Sequence, residues 1–210
     1  MFLKCFPSGP FATNAYLVAC PKTKKAFIID PAPESSAGLL QEEDWEVEAI
    51  LLTHSHWDHT GDCKKLKEKL QIPVYVHKDD KENLEKPGSD GLPLMIPVEG
   101  VAADYALKEG DCLELGELKI EVIETPGHTP GGVSFYLPEE GVLLSGDTLF
   151  QGSIGNLSFP TANPEAMWTS LKKLEKLPRE TKVYPGHGPA TTIGDESWLA
   201  RAKEIFGDES

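Results

Sequence analysis

Nowhere in this 210-residue chain do apolar residues run on for the ~20 positions that a bilayer-crossing helix needs. Its first twenty residues lack a charged start followed by an apolar stretch, and Pro7, Pro10 and Asn14 interrupt them, so no export signal is expected. Cysteine is sparse: Cys5, Cys20, Cys63 and Cys112 stand far apart with no C-x-x-C pair. They read as reduced thiols of a cytoplasmic protein, and a Cys5–Cys20 bridge would require their two strands to pair. Positive charge is also scarce, with 20 lysines and arginines against 34 aspartates and glutamates and a formal net charge of −14. That sign repels phosphate backbones and anionic lipid. It excludes nucleic acid and membrane as expected partners and leaves a small-molecule substrate. The acidic residues are spread out as a solvated surface and form no tail.

What is present is a chain of globular composition, long enough for a sizeable core. Short β-rich runs at 1–6, 15–19 and 26–30 are punctuated by proline, glycine or asparagine. A helix is expected over 34–43. The near-continuous apolar run at 47–53 reads as a strand covered on both faces. A helix over 58–70 places Leu66 and Leu70 on one face, and 72–77 is the next strand. Residues 78–103 contain Pro87, Gly88, Gly91, Pro93, Pro97 and Gly100, and read as a linker or as a flap over a site. Strands follow at 111–115, Leu118–Glu124, 132–137 and 141–145. A helix at 164–177, a strand at 182–184 and a terminal helix at 198–206 complete the pattern. Each half thus runs from strands to a helix to a further strand. The expectation is an α+β single domain spanning 1–210, a four-layer αβ/βα sandwich of two mixed β-sheets flanked by helices.

The strongest local signal is Thr53-His54-Ser55-His56-Trp57-Asp58-His59, directly after the strand at 47–53. In extended chain His54 and His56 point to one side. Asp58 and His59 then open a helix and turn back toward the same pocket. Four donors from one loop do not fit around one tetrahedral ion that must also leave room for substrate, so two ions are expected. Further donors stand at other strand ends: His128 in Thr125-Pro126-Gly127-His128-Thr129-Pro130-Gly131, Asp147 in Ser145-Gly146-Asp147-Thr148, and His187 in Pro185-Gly186-His187-Gly188. Five of the six histidines fall in these turns, whereas surface or capping histidines would scatter. His77 has no such partners and reads as a hydrogen-bonded structural residue. Cys63, on the helix after the motif, reads as packing, because nothing nearby forms a nucleophile–base pair.

With these residues in view, the chain resembles the metallo-β-lactamase superfamily, and within it the shorter relatives of glyoxalase II. The resemblance runs over essentially the whole length, through Phe27–Asp30-Pro31, THSHWDH, ETPGHTPG, LSGDTLF and YPGHG in family order. It implies the metallo-β-lactamase fold and two divalent ions, zinc first, with iron and manganese also compatible with a mixed N/O donor set. One ion is implied on His54, His56 and His128, the other on Asp58, His59 and His187, with Asp147 bridging both. It also implies a catalytic scheme. A water shared by two ions loses a proton near neutral pH, since one zinc alone brings a bound water to a pKa of about 7. The bridging hydroxide, oriented by Asp58, attacks a carbonyl carbon, and a metal stabilises the oxyanion. The implied activity is hydrolysis of thioesters such as S-2-hydroxyacylglutathione. An iron-dependent persulfide dioxygenase and a lactone or β-lactam hydrolase are alternatives on the same pattern.

Three departures from the family pattern stand out, and the first two bear on substrate. Full-length glyoxalase II continues into a helical domain that helps bind glutathione, whereas 23 residues follow His187 here. Where the family often has a lysine or arginine for glutathione this chain has Asn156, and Ser158 replaces the aromatic companion. Asn156 and Ser158 are therefore the candidate substrate contacts. Ala32 stands where a glycine usually follows the Asp-Pro.

Overall fold

The computed structural model describes residues 1–42 and 44–207. Strands β1 (Phe2–Ser8), β2 (Thr13–Ala19) and β3 (Lys25–Ile29) form an antiparallel meander. β4 (Glu46–Leu51), β5 (Val74–His77) and β6 (Tyr105–Leu107) then add in parallel, giving a six-stranded sheet in sequence order. The second sheet starts with an antiparallel run of β7 (Cys112–Leu115), β8 (Leu118–Glu124), β9 (Val133–Leu137) and β10 (Val142–Gly146). The helix α5 (Pro164–Leu174) carries the chain over to β11 (Lys182–Pro185), parallel to β10, and β12 (Thr191–Thr192) closes the edge.

The period-two alternation of side chains explains why these sheets stack. In β2, Tyr16 and Val18 face the second sheet and meet Ile120, Val122, Phe135 and Leu144 in the central core. Their neighbours Ala15 and Leu17 face outward, with Ile28, Ile50 and Val74, against Cys63 and Leu66 of α3 (Cys63–Leu70). On the far side Leu143 and Val183 pack on Met167, Trp168, Leu171 and Leu174 of α5. Three apolar interfaces separate four layers, which is the expected αβ/βα sandwich. No helix among the described residues is long and apolar enough to cross a membrane.

Several local expectations are corrected by tertiary contacts. The helix expected over 34–43 shrinks to α1 (Ser36–Leu39) because Glu34 sits at φ +70, outside the helical region. Residue 43 lies outside the described residues. The helix expected over 58–70 splits into α2 (Trp57–Thr60) and α3. At the break a Cβ on Gly61 would lie 2.4 Å from Pro33 Cγ, and Asp62 Oδ2 accepts the Ser36 N–H at 2.7 Å. α5 stops at Leu174, where the chain tightens into three-residue turns, Lys176 N–H to Lys173 O at 3.2 Å and Leu177 N–H to Leu174 O at 3.0 Å, ahead of Pro178. The terminal stretch is a 3-10 turn, Leu199–Arg201, followed by α6 (Ala202–Phe206). Residues 78–103 hold a short helix of their own, α4 (Lys81–Glu85). Cys5 pairs with Tyr16 across β1 and β2, so it is not set opposite Cys20, and all four cysteines are free.

Phe135 is fully buried between the sheets. Phe135→Ala should cost about 3–5 kcal/mol, a fall of roughly 6–20 °C in Tm by calorimetry. An unchanged Tm would contradict the assignment of this residue to the central core.

Candidate metal centre

The ends of four strands point their turns at one edge of the sandwich. His54, His56, Asp58 and His59 follow β4, His128 lies between β8 and β9, Asp147 follows β10, and His187 follows β11. Backbone bonds across the sheets hold this edge together: Val133 N–H donates to Thr53 O at 2.8 Å, and Asn14 N–H to Gly186 O at 2.8 Å. The Asn14 side chain donates to Pro185 O and Gly188 O, and Tyr16 Oη to Pro185 O, fixing both sides of His187.

The structure brings all seven expected donors together. One set is His54, His56 and His128, and a second is Asp58, His59 and His187, the donor atoms of each lying within 4.8 Å of one another. Asp147 stands between them. Its Oδ1 is 3.3 Å from His59 Nε2, and its Oδ2 is 3.5 Å from both His128 Nε2 and His187 Nε2. Asp58 Oδ2 is 3.2 Å from His187 Nε2 and receives the Thr13 hydroxyl at 2.8 Å. Apart from the half-buried His187, these residues are buried.

Sequence reasoning missed the groups that aim the rings. His54 Nδ1 meets Thr53 Oγ1 at 3.0 Å, and that hydroxyl donates to Asp30 Oδ2. His59 Nδ1 lies 3.0 Å from the same Asp30 oxygen. His128 Nδ1 donates to Asn156 O at 2.8 Å, and His187 Nδ1 to Phe11 O at 3.3 Å. In each of these four rings the outer nitrogen is occupied and Nε2 is left for the interior, the usual arrangement behind metal-binding histidines. Asp30 was visible as an acid ending an apolar strand, and its φ of +48 suits aspartate better than most residues. Asp80 had no such local sign. Buried, it accepts Ser55 N–H at 2.8 Å and Gly131 N–H at 2.6 Å, tying the turn after β4 to the turn after β8.

The electrostatics divide the rings. Burial, reinforced by neighbouring imidazoles, pushes His54 far down and His56 to about 3, so both keep a lone pair for a cation. Burial works against a charged His59 too, yet Asp147 and Asp58 win and raise it well above its ordinary value. Burial likewise opposes an ionised Asp147, but His59, His128 and His187 hold the carboxylate down at about 2. A region that keeps carboxylates ionised in the interior and draws a proton onto His59 is a well for positive charge.

These residues fit metal ions on two further counts. His54 Nε2 is buried without a hydrogen-bond partner, and Asp147 Oδ1 has only the His59 Nε2 contact at 3.3 Å, an arrangement costly to folding unless something else binds them. A Cβ on Gly186 would lie 2.1 Å from Asp147 Oδ1 and 2.6 Å from His59 Cε1, so glycine there keeps open the space between the donors.

The other expected residues fall outside the centre. His77 Nε2 meets Glu124 Oε1 at 3.0 Å, a structural contact. Cys63 is buried against the first sheet, and burial pushes its thiol well above the ordinary range, which suits packing. Asn156 and Ser158 are exposed, and the Asn156 carboxamide oxygen accepts from Ser158 N and Oγ at 2.8 and 2.7 Å. Unforeseen aromatics lie beside the donors: Phe159 is edge-on to His56 at 5.6 Å, and the half-exposed Phe11, whose carbonyl meets His187, packs on Trp57 at 5.3 Å.

Comparison with known proteins agrees with this geometry. The sequence profile of the metallo-beta-lactamase superfamily matches residues 8–187. The probable metallo-hydrolase YqgX of Bacillus subtilis is 37% identical over 89% of this chain and 90% of its own. The hydroxyacylglutathione hydrolase GloC of Haemophilus influenzae is 33% identical over 93% and 95%. Among solved structures, BLEG-1 B3 metallo-beta-lactamase superposes with a TM-score of 0.86 at 38% identity, covering 93% of this chain and 96% of that one. TTHA1623 in a di-iron-bound form gives 0.80 at 41%, covering 95% and 98%. ETHE1 from Myxococcus xanthus gives 0.80 at 28%, covering 97% and 85%. The chain belongs to the metallo-beta-lactamase superfamily.

Removing Asp80 would strand two buried N–H groups. Asp80→Ala should lower stability by about 2–4 kcal/mol in denaturant melts, each orphaned donor costing about 1–3 kcal/mol and relief of the buried charge offsetting part. A variant as stable as the parent would show that Asp80 does not hold the two turns together.

Proposed function

We propose that this protein is a dinuclear metal-dependent hydrolase that cleaves thioesters of the S-2-hydroxyacylglutathione type. The observation that carries the reading is the position of Asp147, with one oxygen toward His59 and the other toward His128 and His187. One carboxylate facing two donor sets suits a bridge. His54, His56 and His128 would hold one ion, and Asp58, His59 and His187 the other. Zinc leads, and iron is supported by the di-iron form of TTHA1623. When bound, the pair supplies an acidified water and a Lewis acid for a carbonyl oxygen.

The chain's own groups do the remaining work. Thr13 pins one oxygen of Asp58, so this carboxylate holds a fixed direction and orients the attacking water. Asp30 and Thr53 keep His59 and His54 from rotating. Phe159 and the Phe11–Trp57 pair, beside the donors, offer apolar surface to an acyl group. A thiolate departs without needing a proton, so a thioester suits a site made of metal donors and ionised carboxylates. The hydroxyacylglutathione hydrolase among the relatives supports the substrate class. The similarity to BLEG-1 supports β-lactams as the second reading, tested in the same assays.

Purified protein should carry two metal ions per chain and turn over S-lactoylglutathione. Asp147→Ala should empty both positions, by elemental analysis, and leave activity near background. A variant with full metal and full activity would remove Asp147 from the centre. Loaded protein that hydrolyses a β-lactam but no thioester would replace the first reading with the second.

Recognition of the glutathione portion should be weak. Among the described residues, no lysine or arginine lines the cavities beside His56, His128 or the 153–158 turn. A missing charge-assisted hydrogen bond costs about 1.5–3 kcal/mol, or roughly 10- to 150-fold in binding. The deficit should appear as a high KM with kcat preserved, and Asn156→Arg should lower KM at nearly constant kcat. A low-micromolar KM in the unmodified protein would show that other residues bind the tripeptide.

A further inference from the structure

Four of the five rings at the centre have their Nδ1 engaged by the protein, and His56 breaks the pattern. Its Nε2 is buried without a hydrogen-bond partner and lies 3.7 Å from Asp90 Oδ2, on a side chain only 8% exposed. Asp90 belongs to neither donor set, so an Nε2 held by Asp90 would leave Nδ1 as the nitrogen His56 offers to its set. The carboxylate is not loosely placed. Asp90 Oδ2 accepts from Asn83 Nδ2 at 2.9 Å, and Oδ1 accepts the Leu92 N–H at 2.9 Å. Asn83, on α4, also donates to Ser55 O at 3.0 Å and accepts the Gly88 N–H at 3.0 Å. The irregular stretch is therefore wound around one amide, which joins it to the His54–His56 turn and sets an anion beside His56.

From this we propose that Asp90 is the positioning residue for His56. Its carboxylate takes the Nε2–H, holds the ring in the tautomer with a free Nδ1, and so makes the loop at 86–92 part of the metal centre. The gap of 3.7 Å exceeds an N–H···O bond of about 2.9 Å by less than an ångström, within reach of a small ring tilt or carboxylate rotation. An outer carboxylate of this kind fixes ring orientation and raises ligand basicity, and its loss weakens metal binding by about 10- to 100-fold. Unlike Asp30, which descends from a strand end, Asp90 comes from a loop.

The inference rests on the metal-binding part of the proposed function and not on the substrate. Its test uses zinc ion alone, measured by chelator competition and by ¹⁵N-edited NMR of imidazoles. In the zinc-loaded parent, His56 should show a slowly exchanging Nε2–H and coordination through Nδ1. Asp90→Ala and Asp90→Asn should weaken one zinc equivalent about 10- to 100-fold and leave the other within a few-fold. The Nε2–H should exchange faster in both variants, and Asp90→Glu should restore part of both readouts. Asn83→Ala, which frees the loop but keeps the carboxylate, should give a smaller loss, and circular dichroism should show each variant folded. Unchanged zinc affinity with an unchanged Nε2–H in Asp90→Ala would overturn the proposal, as would His56 coordinating through Nε2. A parent that binds no zinc would sink both this proposal and the metal reading. A zinc-loaded parent with no thioester turnover would sink only the substrate assignment.

Discussion

Five imidazoles and two carboxylates share one largely buried space, and most of the molecule's polar architecture follows from making that arrangement tolerable. Ionised Asp58 and Asp147 need positive charge nearby, and neutral His54 loses its hydration without gaining a partner at its inward Nε2. Metal ions between the donors answer both demands. That solution works only if the rings are aimed before an ion arrives, and for four of the five this is the task of Thr53, Asp30, the Asn156 carbonyl and the Phe11 carbonyl. Each fixes one nitrogen and leaves the other inward. Asp80 then holds two of the contributing turns at one spacing.

The layered sheets serve this constraint. Strand ends are precise because the C-terminal half of β4 and all of β9 and β10 are buried, and a one-residue slip would expose apolar side chains. The helix is interrupted at Asp62 (φ −100, ψ 5), with Asp58 and His59 of α2 in the donor cluster and Cys63 and Leu66 of α3 packed on the sheet. Across the sandwich, Asn14 and Tyr16 grip the turn that carries His187, so a donor from the second sheet is registered against the first.

How much of this was legible in the sequence depends on the range of the cause. The donor turns could be read because the signal is local: His54 through His59 form one short motif, and the strands before each turn show period two or continuous apolar character. The four layers were legible for the same reason. Elements made by partners far away in the chain were not. β12 has two residues, too few for any pattern, and the helix breaks at Asp62, whose N–H donates to Pro31 O at 3.0 Å, a residue from a distant turn. Asp80 looks like any surface acid until its bond to Gly131 is seen, and Thr13 like any strand threonine until it meets Asp58. The substrate contacts expected at Asn156 and Ser158 came from resemblance. The structure turns the Asn156 side chain onto Ser158 and engages His128 through the main chain.

The central claim is that the two donor sets hold two ions close together on nitrogen and oxygen alone. X-ray absorption at the metal edge of protein loaded with two equivalents tests it most directly. The account predicts a metal–metal scatterer at about 3.5–4 Å and a first shell of nitrogen and oxygen ligands without sulfur. A spectrum with no metal–metal contribution, or one with a sulfur ligand, would contradict it.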